Sequence, residues 1–241
     1  MKKRTPTGIS GLDKLLKGGF PEGRCILISG PCGSGKSILG MQYIYNGITQ
    51  YNEKGLFVSF EEEKPRIIEN MAQFGFNLEK LEKSKKLILI GGALGGISQF
   101  MRKINAETDH IINEIGQVVK ENKIQRVVID SISLLAMLSN ETNERRLMLT
   151  KLVHKLSSLG CTSLLISETK EGTFDISRFG IEEFVADGVV ALYHLRQKDN
   201  FIKGIVIRKM RGTDHKTSIR LFKITKRGIR VYPDETVFTD L

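Results

Sequence analysis

Residues 30–37 read Gly-Pro-Cys-Gly-Ser-Gly-Lys-Ser, three glycines set around a lysine and a hydroxyl. Gly30, Gly33 and Gly35 put no Cβ in the way, so consecutive backbone N–H groups can turn toward one anion. The pattern that follows is helical and would add the positive end of its dipole. The spacing fits the G-x-x-x-x-G-K-[ST] phosphate loop at every fixed position. In such a loop Lys36 reaches the β- and γ-phosphates and the Ser37 hydroxyl ligates Mg²⁺. The nucleotide then lies against Gly30, Pro31, Cys32, Gly33, Ser34, Gly35, Lys36, Ser37 and Ile38. No Asn-Lys-x-Asp run is present to read a guanine edge, so ATP is the expected ligand, with ADP as product.

Other groups fit the same chemistry. Asp130 closes the apolar run Val127-Val128-Ile129. In open parallel sheets ligands sit at the carboxyl ends of strands, so this acid is the expected water-mediated partner of Mg²⁺. Glu61-Glu62-Glu63 follow another apolar run, 55–60. Hydrolysis needs a group that polarises water; Glu62 is expected as that base and Glu61 as its neighbour or alternate. Glu63, ahead of Pro65, suits a helix start. Ser167-Glu168 end a third apolar run and should face the same site. Lys209 and Arg211 stand two apart at the end of an expected strand, hence on one face. Neighbouring cations call for an anion, which a phosphate bound to another subunit would supply. A solvated strand edge explains the same spacing.

Strand and helix patterns alternate through the first 187 residues. The runs 25–29, 55–60, 125–130 and 162–167 are short and apolar on both faces, as in parallel strands covered on both sides. Between them, the stretches 104–121 and 142–159 repeat apolar residues at three- and four-residue steps (Ile111, Ile112, Ile115, Val118, Val119; Leu149, Leu152, Val153, Leu156, Leu159). Each is an amphipathic helix with one stripe on the sheet. Right-handed crossovers then give a doubly wound α/β fold. After residue 187 the helical patterns stop, and an antiparallel extension is expected with turns at 198–200 and 226–228. Gly91-Gly92-Ala93-Leu94-Gly95-Gly96 reads as a plain connecting loop. No linker or low-complexity tract divides residues 1–241, so one domain is expected.

The 241 residues are 40% hydrophobic and 27% charged, an ordinary globular balance. No apolar run nears the ~18 residues of a membrane span. The basic start lacks the apolar stretch of a signal peptide. Three cysteines without metal-ligand spacing fit a reducing, cytoplasmic setting. The net charge is +10, and residues 196–230 carry twelve Lys/Arg against Asp199 and Asp214, which equals the whole excess. Such a field attracts polyanions. Nucleic acid is not favoured: aromatic residues there are sparse, and the stretch 168–185 is rich in acids.

Several segments together resemble KaiC-type ATPases of the RecA/RadA superfamily. Thr5-Pro6-Thr7-Gly8-Ile9-Ser10-Gly11-Leu12-Asp13 and Gly18-Gly19-Phe20-Pro21-Glu22-Gly23 are similar to the family's entry segment. Phe57-Val58-Ser59-Phe60-Glu61-Glu62 resembles its paired catalytic glutamates, and Val128-Ile129-Asp130-Ser131 its Walker B strand. Residues 178–187 and Lys209-Met210-Arg211-Gly212-Thr213-Asp214-His215 are similar to its later signatures. The resemblance implies a RecA-like fold, ATP with Mg²⁺, and a homohexamer with each nucleotide at a subunit boundary. Lys209 and Arg211 then match fingers entering the neighbour's site, and His215 a position near the nucleotide. Where the family's phosphorylated domains carry an adjacent Ser-Thr pair, this chain has Glu183-Phe184, which speaks against autophosphorylation there. Two alternatives remain: a RecA/RadA-like DNA-binding repair ATPase, and a nucleotide-switched scaffold of little turnover that works through a protein partner.

Overall fold

The computed structural model describes residues 3–92, 104–139, 141–197 and 200–237. The expected loop from Ala93 onward and the expected turn at Lys198-Asp199 lie outside them. Strand β3 (Cys25–Gly30) is fully buried at the middle of the main sheet. It pairs in parallel with β7 (Thr162–Glu168) on one side and β8 (Gly188–Gln197) on the other, with Ile28 opposite both Ile166 and Val190. Beyond β7 the parallel ladder continues through β6 (Arg126–Asp130), β4 (Gly55–Ser59) and β5 (Leu87–Ile90). Beyond β8 the pairing turns antiparallel through β9 (Asn200–Met210), β10 (Arg220–Thr225) and β11 (Gly228–Thr236). The expected α/β sheet with its antiparallel extension is thus present, with β8 serving both halves. A two-stranded pair, β1 (Arg4–Thr5) and β2 (Phe20–Pro21), is tied to β7 by a 2.9 Å hydrogen bond between Thr5 and Thr162.

Strand side chains alternate between two layers, which is why the runs lack a polar face. Ile26, Ile28, Val128 and Ile166 pack with Leu39 and Tyr43 of α2 (Lys36–Tyr51). The same layer takes in α1 (Leu12–Leu15), α3 (Lys64–Ala72) and α4 (Leu78–Lys83). Leu27, Val127, Ile129 and Leu165 meet Ile111 and Ile115 of α5 (Ile104–Asn122) and Leu149, Leu152 and Leu156 of α7 (Thr142–Ser158). Two short helices escape the sequence pattern: α6 (Ile132–Ala136) and α8 (Glu182–Val185). Each is too short to display a period. No described helix is long and apolar enough to cross a membrane.

One contact locks α2 to the sheet. Arg126 of β6 is fully buried and ion-paired to Glu53 beyond the end of α2. Its Nη1 donates to the Tyr43 carbonyl at 3.0 Å, and its guanidinium lies 4.5 Å from the Tyr43 ring centre.

Candidate functional site

The segment between β3 and α2 is a tight bend. Gly35 caps α2 with φ 99, a left-handed conformation that disfavours other residues, and a Cβ there would press on Ile224 at 3.1 Å. No side chain caps this helix start and no acid lies in its first turn. Its first amides are therefore free to meet an anion at the positive dipole end. Lys36 is buried and folds back over the loop, donating to the Pro31 carbonyl at 2.8 Å; Ser34 Oγ donates to the same carbonyl at 2.7 Å. Burial lowers the Lys36 pKa, while Glu168, Asp130, Cys32 and Glu61 pull it back up.

Asp130 and Ser59 are register partners, so β6 and β4 end level beside the loop. Asp130 is only 8% exposed. Burial pushes its carboxyl up to about 6; Glu61 and Glu62 add to this, whereas a hydrogen bond from Ser37 and the charge of Lys36 oppose it. The Ser37 hydroxyl, expected with Asp130 at Mg²⁺, is thus among the groups that act on that carboxyl. Among the described residues no group of three or more His, Cys, Asp or Glu could hold a metal ion. A divalent cation at Ser37 and Asp130 would complete its shell with phosphate and water, as Mg²⁺ does. A buried carboxylate close to two others gives such a cation an electrostatic reason to be there.

The three glutamates diverge. Ser59 Oγ accepts from the backbone N–H groups of Glu61 (3.3 Å) and Glu62 (2.9 Å), turning the chain out of β4. Glu61 faces inward, accepting from Ser131 Oγ at 2.5 Å. Glu62 turns to α3 and accepts from Asn70 Nδ2 at 2.5 Å. Glu63 sits at the N-cap of α3, whose first turn contains Pro65. At the end of β7, Glu168 lies opposite Gly30 and pairs with Arg178 at 2.9 Å. Here Cys32, Glu168, Asp175 and Arg178 help line a cavity of about 440 Å³.

Lys209, Arg211 and His215 do not join this group within the chain. Lys209 is paired with Val189 near the start of β8, at the end of the parallel strands opposite the loop. Its Nζ donates to the Glu183 and Ala186 carbonyls at 2.7 Å each. Arg211 follows the last residue of β9, reaching the Phe184 carbonyl at 3.0 Å and Asp187 at 3.6 Å. The two cations therefore do meet one stretch of chain, around α8. Burial and the charge of Arg211 lower the Lys209 pKa. His215 lies in the following turn, its Nδ1 3.1 Å from the Thr213 carbonyl.

Two residues at the loop escaped the sequence reading. His194 of β8 and Lys203 of β9 are cross-strand partners, and Lys203 Nζ donates to the Gly33 carbonyl at 2.8 Å. Neither belongs to a motif, and only the strand pairing brings them together.

The profile of the KaiC ATPase family matches residues 5–236. The circadian clock oscillator protein KaiC of Prochlorococcus marinus is 32% identical over 231 residues, 96% of this chain but 46% of that protein. The chain thus spans about half the length of that relative. A protein of Thermotoga maritima called UPF0273 is 37% identical and is matched over 98% of both chains. The crystal structure of a KaiC-like protein from Pyrococcus horikoshii superposes with a TM-score of 0.85 at 36% identity, covering 97% of this chain and all of the other. A phosphate loop at the centre of a mostly parallel sheet, an acid at the end of β6 and these likenesses along nearly the whole length place the chain in the KaiC family of RecA-like ATPases.

Proposed function

We propose that the chain binds and hydrolyses ATP with Mg²⁺, as a single domain that assembles into homohexameric rings with nucleotide at the subunit boundaries. The uncapped start of α2, with buried Lys36 folded over it, is the observation that carries this reading. On binding, Lys36 exchanges the Pro31 carbonyl for phosphate oxygens, and the amides of residues 33–38 cradle the β-phosphate. Ser37 and Asp130 hold the cation, which when bound neutralises charge on the phosphates. Glu61 and Glu62 orient and deprotonate the attacking water, with Glu61 the nearer to Asp130. Lys209 and Arg211 leave the carbonyls around α8 to stabilise the leaving charge on the adjacent subunit, and His215 accompanies them; a finger in trans can be worth roughly 10³–10⁵ in rate. The free thiols Cys25, Cys32 and Cys161 suit a reducing compartment such as the cytoplasm.

Titration calorimetry with ADP, followed by steady-state turnover of wild type, Glu61→Gln, Glu62→Gln and Arg211→Ala, tests the reading. Wild type should bind and turn over, with the Glu61, Glu62 and Arg211 variants still binding but slowed at least about 100-fold. Binding without turnover would favour the scaffold alternative; no heat on ADP addition would remove the site altogether.

A further inference from the structure

His194 and Lys203 stand at the phosphate loop, yet the reaction outlined above has no use for them. Lys203 Nζ touches two acceptors, the Gly33 carbonyl at 2.8 Å and His194 Nε2. An ammonium has only protons to give, so Nε2 is the acceptor and the ring is neutral, with its proton on Nδ1. The Gly33–Ser34 peptide is planar, so its carbonyl and the Ser34 N–H point in opposite directions. With the carbonyl drawn out toward Lys203, that N–H is turned across the loop, 3.3 Å from the Pro31 carbonyl. Gly33, at φ 70 and with no side chain, leaves this peptide held by that bond at its N–H and by Lys203 at its oxygen. A charge-assisted bond to its oxygen is a strong restraint.

We propose that Lys203 is a positioning residue of the phosphate loop, anchoring the Gly33 carbonyl so that the Ser34 amide faces the nucleotide, with neutral His194 as the acceptor that aims it. The inference rests on the nucleotide-binding reading above. The groups that face His194 are Lys203 from β9, Lys36 from the start of α2 and Glu171 from the segment after β7. Burial, then Lys203, hold the imidazole below its ordinary 6.5; Lys36 acts the same way, while Glu171 and the Gly33 backbone oppose. At neutral pH the ring is therefore neutral and accepts. As pH falls through that lowered range, Nε2 takes a proton, the acceptor is lost and two cations face each other. The loop is therefore anchored at neutral pH and released in acid.

The test is calorimetric binding of ADP without Mg²⁺ to the full chain, at about pH 8 and about pH 5.5. Lys203→Met should weaken ADP about five- to tenfold at the higher pH, and Lys203→Arg should restore most of that loss. His194→Gln keeps an acceptor that cannot titrate, so it should bind as wild type at the higher pH and lose less affinity in acid. ADP's own ionisation is common to both chains, and their difference isolates the imidazole. Two results would overturn the inference alone: Lys203→Met within about twofold of wild type, or His194→Gln with the full acid loss of wild type. Wild type that binds no ADP at either pH would remove the site reading and this inference together.

Discussion

Asp130 carries the heaviest electrostatic burden among the candidate site residues. Its carboxyl is pushed up from 3.8 to about 6, first by burial. The folded state thus holds a proton that the unfolded chain has released, and stability falls as pH rises through that window. At neutral pH the ionised group is a net cost to the fold without ligands. Asp130→Asn should therefore stabilise the nucleotide-free protein by about 2 kcal/mol near pH 7.5, with the gain gone below about pH 4. Urea midpoints at the two pH values check this, and equal shifts at both would refute it. The same substitution should remove Mg²⁺-dependent turnover, so stability and activity part company at one residue.

At the scale of elements, α2 presents the loop and Arg126 presents α2. Glu53→Ala would leave a buried guanidinium without its carboxylate, which costs about 3–5 kcal/mol in full burial. The Glu53 side chain is 26% exposed, so a loss of about 2 kcal/mol is expected here. Arg126→Met, which removes the charge along with its need for a partner, should cost less. Chemical denaturation of the two variants gives the order directly. This level also marks what the sequence could disclose. Residues 30–38 were legible because their spacing is local. Asp130 and Glu61 were legible because strand ends converge in a parallel sheet. His194 and Lys203 were not: they meet through the β8–β9 pairing, and Gly33, the loop residue they adjoin, is 161 positions from His194 in the chain. The inward turn of Glu61 and the outward turn of Glu62 depend on Ser131 and Asn70, contacts no local pattern encodes.

Across the whole molecule, the chemistry divides between two poles. The phosphate loop lies at the carboxyl ends of the parallel strands, and Lys209 and Arg211 lie at their amino ends. In the proposed assembly, chains that lend those cations to one another associate head to tail, through unlike faces, which make a ring where the rotation closes and a filament where it does not. Particle mass with and without Mg·ATP reports that association. Such geometry makes activity a property shared out between neighbours. A Lys36→Ala chain would lack a usable loop yet still offer its fingers, whereas an Arg211→Ala chain would have the reverse defect. Each parent alone should be silent. Mixed before assembly, the two should recover turnover, since some boundaries then join an intact donor to an intact recipient; a mixture as inert as its parents would mean that each protomer works by itself.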